Sequence, residues 1–249
     1  MIKKLLFISL FITNSIYAGN INIAVAANVS YTINDLIKEF NKTNPHTKIN
    51  VTLGSSGKLT AQIKNGAPYN LFMSANMKYP EALFNDKIAI TKPVIYAQGS
   101  LAILSAKEID FAKGIMLAKD SSIEKVAIAN PKTAPYGKAA VEAMKNAKIY
   151  DNTVKKLVYA ESISQAVTYT LTATEIGFIA KSSLYSLKMS MYKKGINWTE
   201  VEAKLYTPIN QGIVILKNAK DNKEVKAFYD FILSENAKKI FKEFGYLVP

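Results

Sequence analysis

Four short stretches, each centred on neutral residues, could together hold a ligand: Ala26-Ala27-Asn28, Gly54-Ser55-Ser56-Gly57, Pro135-Tyr136-Gly137 and Glu161-Ser162-Ile163. Each stands where a strand-like apolar run gives way to a helical pattern. A helix start leaves its first N–H groups unpaired and carries the positive end of the macrodipole. Several starts aimed at one point would bind an anion without a cationic side chain. Ser55 and Ser56 add hydroxyl donors and Asn28 adds an amide. Taken singly, each stretch is also an ordinary helix start, because Ser and Asn are preferred caps and Gly supplies special backbone angles.

Composition removes many other chemistries. The 249 residues contain no Cys, which excludes thiol nucleophiles, disulfide scaffolds and Cys-based metal centres. The single His, His46, sits in a polar stretch and reads as solvated. The 32 basic residues outweigh 19 acidic ones for a net charge of +13, yet every base is Lys. Nucleic-acid readers rely on the bidentate Arg fork, so a solvated Lys-rich surface is expected and nucleic-acid binding is not. A Lys-rich envelope protein that binds acidic polymers would be the other reading of this charge, with affinity that collapses in salt.

One rival constellation belongs to enzymes. Ser55-Ser56-Gly57-Lys58 fits S-x-x-K, Ser74-Ala75-Asn76 fits S-x-N, and Lys132-Thr133-Ala134 approaches K-T-G. These are elements of the penicillin-binding serine acyl-enzymes. Ala134 replaces the Gly of the third element, and such short patterns arise easily in a chain rich in Ser and Lys. Lys58 otherwise reads as a solvated side chain.

The elements that must position these residues alternate along the chain. Ile21, Ile23 and Val25 have strand spacing, and Ile33, Leu36, Ile37 and Phe40 have helical spacing with Asn28 or Ser30 as the cap. A strand over residues 49–53 precedes the Ser55-Ser56 junction, a helix carries Leu59 and Ile63 until Gly66, and residues 71–73 form a third strand. After a break at Gln98-Gly99 the pattern restarts. Strands are expected at 101–104, 126–129, 157–159, 176–179 and 211–216, with helices from Pro135 and Ile163 and two closing helices. Such alternation implies α/β sheets with parallel strands, helices on both faces and two lobes.

The N-terminus reads as an export signal over residues 1–18. Lys3 and Lys4 precede the apolar run from Leu5 to Ile12, and Ala18 is the expected last residue before cleavage. That run is too short to span a membrane.

In order along the chain, these motifs resemble the periplasmic molybdate-binding proteins of ABC transporters. The resemblance is carried by Ala26-Ala27-Asn28, Gly54 to Leu59, Gln62 to Pro68, Leu71 to Ala75, Ala129 to Gly137, Gly177 to Ala180, Ala227 to Phe231 and Phe241 to Gly245. It implies a class II periplasmic-binding-protein fold with two crossovers. Residues 19–98 and 207–249 would form one lobe and 99–206 the other, each a mostly parallel sheet flanked by helices, with the ligand in the cleft. It also implies a non-enzymatic, monomeric receptor without a cofactor that delivers its anion to a membrane permease. By position, the ligand contacts would be Asn28, Ser56 and the backbone N–H groups of Tyr136 and Ile163, the Tyr136 phenol being incidental. Many members carry a ligand-binding Tyr where this chain has Ala180, and Ser55 is the substitute donor here. Molybdate and tungstate are fully deprotonated tetrahedral dianions that only accept hydrogen bonds, so an all-donor cradle suits them. Sulfate shares that chemistry at a smaller size and is the alternative ligand.

Overall fold

The computed structural model describes residues 19–249; the export signal expected at residues 1–18 lies outside the described residues. Two five-stranded sheets organise the chain. The first contains β1 (Asn20–Ala26), β2 (Lys48–Gly54), β3 (Leu71–Met73) and β4 (Val94–Gly99). The chain then enters the second sheet through β5 (Leu101–Leu104), β6 (Val126–Ala129), β7 (Leu157–Ala160), β8 (Ile176–Ala180) and β9 (Trp198–Glu200). It returns to the first sheet as β10 (Ile209–Ile215). The helices are α1 (Ile33–Phe40), α2 (Ser56–Lys64), α3 (Lys78–Asn85), α4 (Pro135–Asn146), α5 (Tyr150–Thr153), α6 (Ile163–Thr172), α7 (Lys223–Ile232) and α8 (Glu235–Glu243).

The strand orders, β2-β1-β3-β10-β4 and β7-β6-β8-β5-β9, are the same topology written twice. Four strands in each sheet share one direction, and the fourth in order runs against them. The reversed strand is in each case the one that enters from the other lobe. It arrives from the side where the parallel strands end, so it must run the other way. This is the two-lobed α/β fold.

Two expectations are corrected by this arrangement. Gln98-Gly99 does mark where the chain leaves the first sheet for the second, but as extended chain and not as a turn, because β4 runs almost directly into β5. Asn28 does not cap α1. Residues Ala27–Tyr31 form a 3-10 turn, and Thr32 precedes the helix without a side-chain cap. A short tight turn takes the place of a simple cap because Asn28 is wholly buried and its amide is engaged elsewhere. The elements α3, β4 and β9 had no counterpart in the sequence reading.

Strand periodicity sorts the core of the first lobe. Ile21, Ile23, Val25, Leu71, Met73, Ile213 and Ile215 face one layer with Leu36, Phe40, Phe228 and Phe241. The intervening Ala24, Phe72 and Val214 face the other, with Leu59, Ile63 and Leu83. Phe40 and Phe228 meet edge to face at 5.1 Å, locking α1 to α7. In the second lobe Leu101, Ile103, Val126, Ile128 and Phe178 pack against Ala139, Ala140 and Met144 of α4.

One glycine sets how closely a helix start can approach a strand end. A Cβ on Gly137 would lie 2.0 Å from the carbonyl oxygen of Ala129, at the end of β6. Backbone cannot yield as a flexible side chain can, so Gly137→Ala forces α4 away from the sheet. Overpacking of this kind costs about 1–3 kcal/mol, which chemical denaturation of the variant should register as a lower unfolding midpoint.

Candidate functional site

The carboxyl ends of the parallel strands in both lobes converge on one small cavity. In open α/β sheets this is where ligands bind. Its lining includes Asn28 after β1, Ser55 and Ser56 after β2, Ala75 after β3, Tyr136 after β6 and Ile163 after β7. All five residues singled out from the sequence therefore meet here. Among the described residues, none that lines the cavity is charged.

Each is presented differently. Ser56 is the first residue of α2, and its Oγ accepts a hydrogen bond from the Ala75 N–H at 2.9 Å. That bond occupies a lone pair and leaves the hydroxyl hydrogen to donate. Ser55 holds the N-cap position in extended conformation, yet its hydroxyl caps nothing. Its Oγ is buried with no hydrogen-bond partner among the described residues, a state that ordinarily costs about 1–3 kcal/mol. A buried hydroxyl without a partner beside a cavity is placed to meet a ligand.

Tyr136 and Ile163 stand in the first turns of α4 and α6, where an N–H has no acceptor within its own helix. Ser162 caps α6 by accepting from Gln165 N at 3.3 Å, so Ile163 is held at the helix start. Pro135 opens α4, where its missing N–H is no loss.

The phenol of Tyr136 is more than incidental. It is buried against Gly99, where any Cβ would lie 1.9 Å from its oxygen, and it accepts from Gln211 Nε2 at 3.4 Å. Gln211 Oε1 in turn accepts from Tyr96 Oη and from Asn28 Nδ2, both at 2.8 Å. Asn28 Nδ2 also donates to Tyr246 Oη at 3.0 Å, while the Tyr246 hydroxyl donates to the Asn28 carbonyl at 2.9 Å. Burial raises all three phenols, Tyr246 to about 12, and pushes Tyr96 and Tyr136 well above the ordinary tyrosine range. They remain neutral at any physiological pH.

Sequence reasoning missed Gln211, Tyr96 and Tyr246. One signal was available: Gln211 is a polar residue directly before the apolar run that ends β10, and the structure buries it. Ala180, where the resemblance had led to a missing Tyr, closes β8 in the core. Two residues on, Ser182 donates to the carbonyl of Asn28 at 3.2 Å.

The lobes also touch at the cavity rim. The N–H of Gly57 donates to Thr133 O at 2.8 Å, and a Cβ there would come within 2.9 Å of the same oxygen. Lys58 is not simply solvated as expected. Its Nζ pairs with Glu161 of the other lobe, though both side chains remain about half exposed. Ser55 and Lys58 therefore do not form the nucleophile–base pair that an acyl-enzyme requires. Among the described residues no group of His, Asp and Glu could hold a metal ion.

Comparison with known proteins agrees with this geometry. Residues 21–247 match the family of bacterial extracellular solute-binding proteins. The molybdate-binding protein ModA of Azotobacter vinelandii is 35% identical over 233 residues, 92% of this chain and 90% of that protein. ModA of Rhodobacter capsulatus is 35% identical over 234 residues, with 92% and 89% covered. The solved structure of the A. vinelandii periplasmic molybdate-binding protein superposes with a TM-score of 0.84 at 31% identity, covering 92% of this chain and 99% of that one. With the fold, the coverage and the convergence of helix starts in agreement, the chain belongs to the bacterial extracellular solute-binding proteins, in the branch that contains ModA.

Proposed function

We propose that this chain is an extracytoplasmic receptor that captures molybdate, and tungstate by the same chemistry, and hands it to the permease of an ABC transporter. The observation that carries this reading is the uncharged cavity at the strand ends, where Ser55 offers a buried hydroxyl without a protein partner. Ser55, Ser56, Asn28 and the N–H groups of Tyr136 and Ile163 would be the donors. A fully ionised tetrahedral dianion can use all of them, whereas an anion that keeps a proton needs an acceptor. The relatives named for molybdate binding support the choice among dianions. Sulfate would fit the same donors, and cavity size has to discriminate against it.

The receptor acts as a monomer without catalysis, cofactor or nucleic-acid partner. Its lobes comprise residues 19–98 with 207–249, and residues 99–206. Cleavage after Ala18 releases it to the periplasm. Contacts from both lobes mean that only the closed state satisfies the anion, so ligand favours closure.

Calorimetry with molybdate, tungstate, sulfate and phosphate tests the assignment, with the first two expected to bind tightly. A hydrogen bond to a charged acceptor contributes about 1.5–3 kcal/mol, so Ser56→Ala and Ser55→Ala should each weaken molybdate binding roughly ten- to hundredfold. Lys58→Ala removes a half-exposed ion pair of about 0–1 kcal/mol and should cost less than roughly fivefold. A larger loss for Lys58→Ala than for Ser56→Ala would mean that a cation, not neutral donors, holds the anion. X-ray scattering should show the protein contracting on saturation with molybdate, and an unchanged radius would argue against closure. Tyr136→Phe keeps the backbone donor but leaves Gln211 short of a partner. It should hold affinity nearly constant while lowering unfolding free energy by about 0.5–1.5 kcal/mol.

A further inference from the structure

Asn28 lines the cavity, yet both hydrogens of its Nδ2 are already committed, one to Gln211 Oε1 and one to Tyr246 Oη. The polar atom left over is Oδ1, which is buried and has no partner among the described residues. An acceptor is the wrong group to offer a fully ionised anion, since two acceptors repel each other.

The same heavy-atom positions support a second hydrogen-bond register, reached by turning the side-chain amides of Asn28 and Gln211 together through half a turn. Nδ2 of Asn28 then occupies the site of the unpartnered Oδ1. Nε2 of Gln211 takes the position that lies 2.8 Å from both Asn28 and Tyr96 Oη, with one hydrogen for each. Tyr96 can accept there because its own hydrogen has an alternative acceptor, the Ser74 carbonyl at 3.4 Å. Oε1 of Gln211 moves to within 3.4 Å of Tyr136 Oη, which can donate to it. Tyr246 turns its hydrogen from the Asn28 carbonyl to Oδ1, 3.0 Å away, and that carbonyl keeps the Ser182 hydroxyl as donor. In this register every group named is satisfied once an anion accepts from Asn28.

We infer that Gln211 is a positioning residue that sets which end of the Asn28 amide faces the cavity, and with it the proton content of the anion that binds. With Gln211 donating, Asn28 presents N–H and the site takes a dianion without a proton. With Gln211 accepting, Asn28 presents oxygen and the site favours a protonated oxyanion such as hydrogen phosphate. This rests on the proposed oxyanion function and assigns the selectivity of that site. The groups that face Gln211 are Tyr96 from β4, Tyr136 from α4 and, through Asn28, Tyr246 from the C-terminal segment, all of them neutral phenols.

Gln211→Glu tests the relay, because an ionised carboxylate can only accept and so fixes the arrangement in which Asn28 presents its oxygen to the cavity. Gln211→Met keeps the length but lets the Asn28 amide turn freely. Calorimetry on parent and both variants with molybdate and with phosphate, at about pH 8 and about pH 6, separates the outcomes. In the Glu variant molybdate should weaken by roughly a hundredfold at the higher pH, as expected for a donor turned into an acceptor. It should recover at the lower pH as the buried carboxyl protonates and can donate. Phosphate should lose much less, so the preference for molybdate narrows. The Met variant should stay within roughly tenfold of the parent.

Equal losses in the Met and Glu variants would overturn the relay and leave Gln211 a packing residue. Equal losses of molybdate and phosphate in the Glu variant would overturn it too, since charge repulsion would then suffice. A parent that binds molybdate while the variants behave in either of those ways sinks the relay alone. A parent that binds none of these anions removes the receptor reading and the relay with it.

Discussion

Everything near the cavity follows from the need to give unpaired N–H groups and hydroxyls something to bond to. Ser56, Tyr136 and Ile163 in the first turns of their helices are buried where water is scarce, and a buried donor without an acceptor costs about 1–3 kcal/mol. The fold does not remove that cost internally, as the unpartnered Ser55 Oγ shows. It concentrates the donors in one small space that an anion can enter. A charged lining would bind anions more indiscriminately and would attract protonated species as readily as bare ones.

The duplicated topology is what makes concentration possible. Parallel strands of each sheet end on the same side, and the reversed strands β5 and β10 carry the chain across that side and back. The strand ends of the two lobes are thereby brought face to face, joined by two passages. Glycine then lets backbone approach backbone. Gly137 admits the start of α4 to the end of β6, and Gly57 admits the start of α2 to Thr133 across the cleft. The hydrogen bonds from Gly57 to Thr133 and from Ser182 to Asn28 join neutral groups across the lobes. The one ion pair named there, Lys58 with Glu161, is half exposed and therefore weakly stabilising. A ligand shifts an equilibrium only by its differential affinity for the two states, so closure should depend on what lies between the lobes.

Behind the cradle lies a second layer of uncharged polar groups. Tyr96, Tyr136, Tyr246 and Gln211 fix the orientation of Asn28 without bringing a charge near it. Their burial keeps the phenols protonated, so none becomes an anion that would oppose a bound one. A Lys or a carboxylate in this layer would alter the field at the cavity and carry a large desolvation penalty. Orientation by neutral hydrogen bonds avoids both.

The sequence by itself determined the alternation of strands and helices, the two-lobed class of fold and the four strand-to-helix junctions that meet at the cavity, while the resemblance to a family singled out the five residues within them. Those features are local. Period-two spacing in Ile21, Ile23 and Val25, and a Ser-Ser pair or a Pro directly before a helix, are set by neighbouring residues and the geometry of one turn. What only the tertiary structure decided is long in range. Asn28 meets Gln211 and Tyr246 across separations of 183 and 218 residues, and no local pattern records that pairing. The continuity of β4 into β5 was hidden because Gln98-Gly99 carries the composition of a turn, while Gly99 is small there to receive the Tyr136 phenol. The pairing of Lys58 with Glu161, and the burial that turned Asn28 from a helix cap into part of a hydrogen-bonded cluster, depend likewise on one lobe lying against the other. A chain's periodicity encodes which face of each element is apolar, but which elements meet is settled only when those faces are buried together.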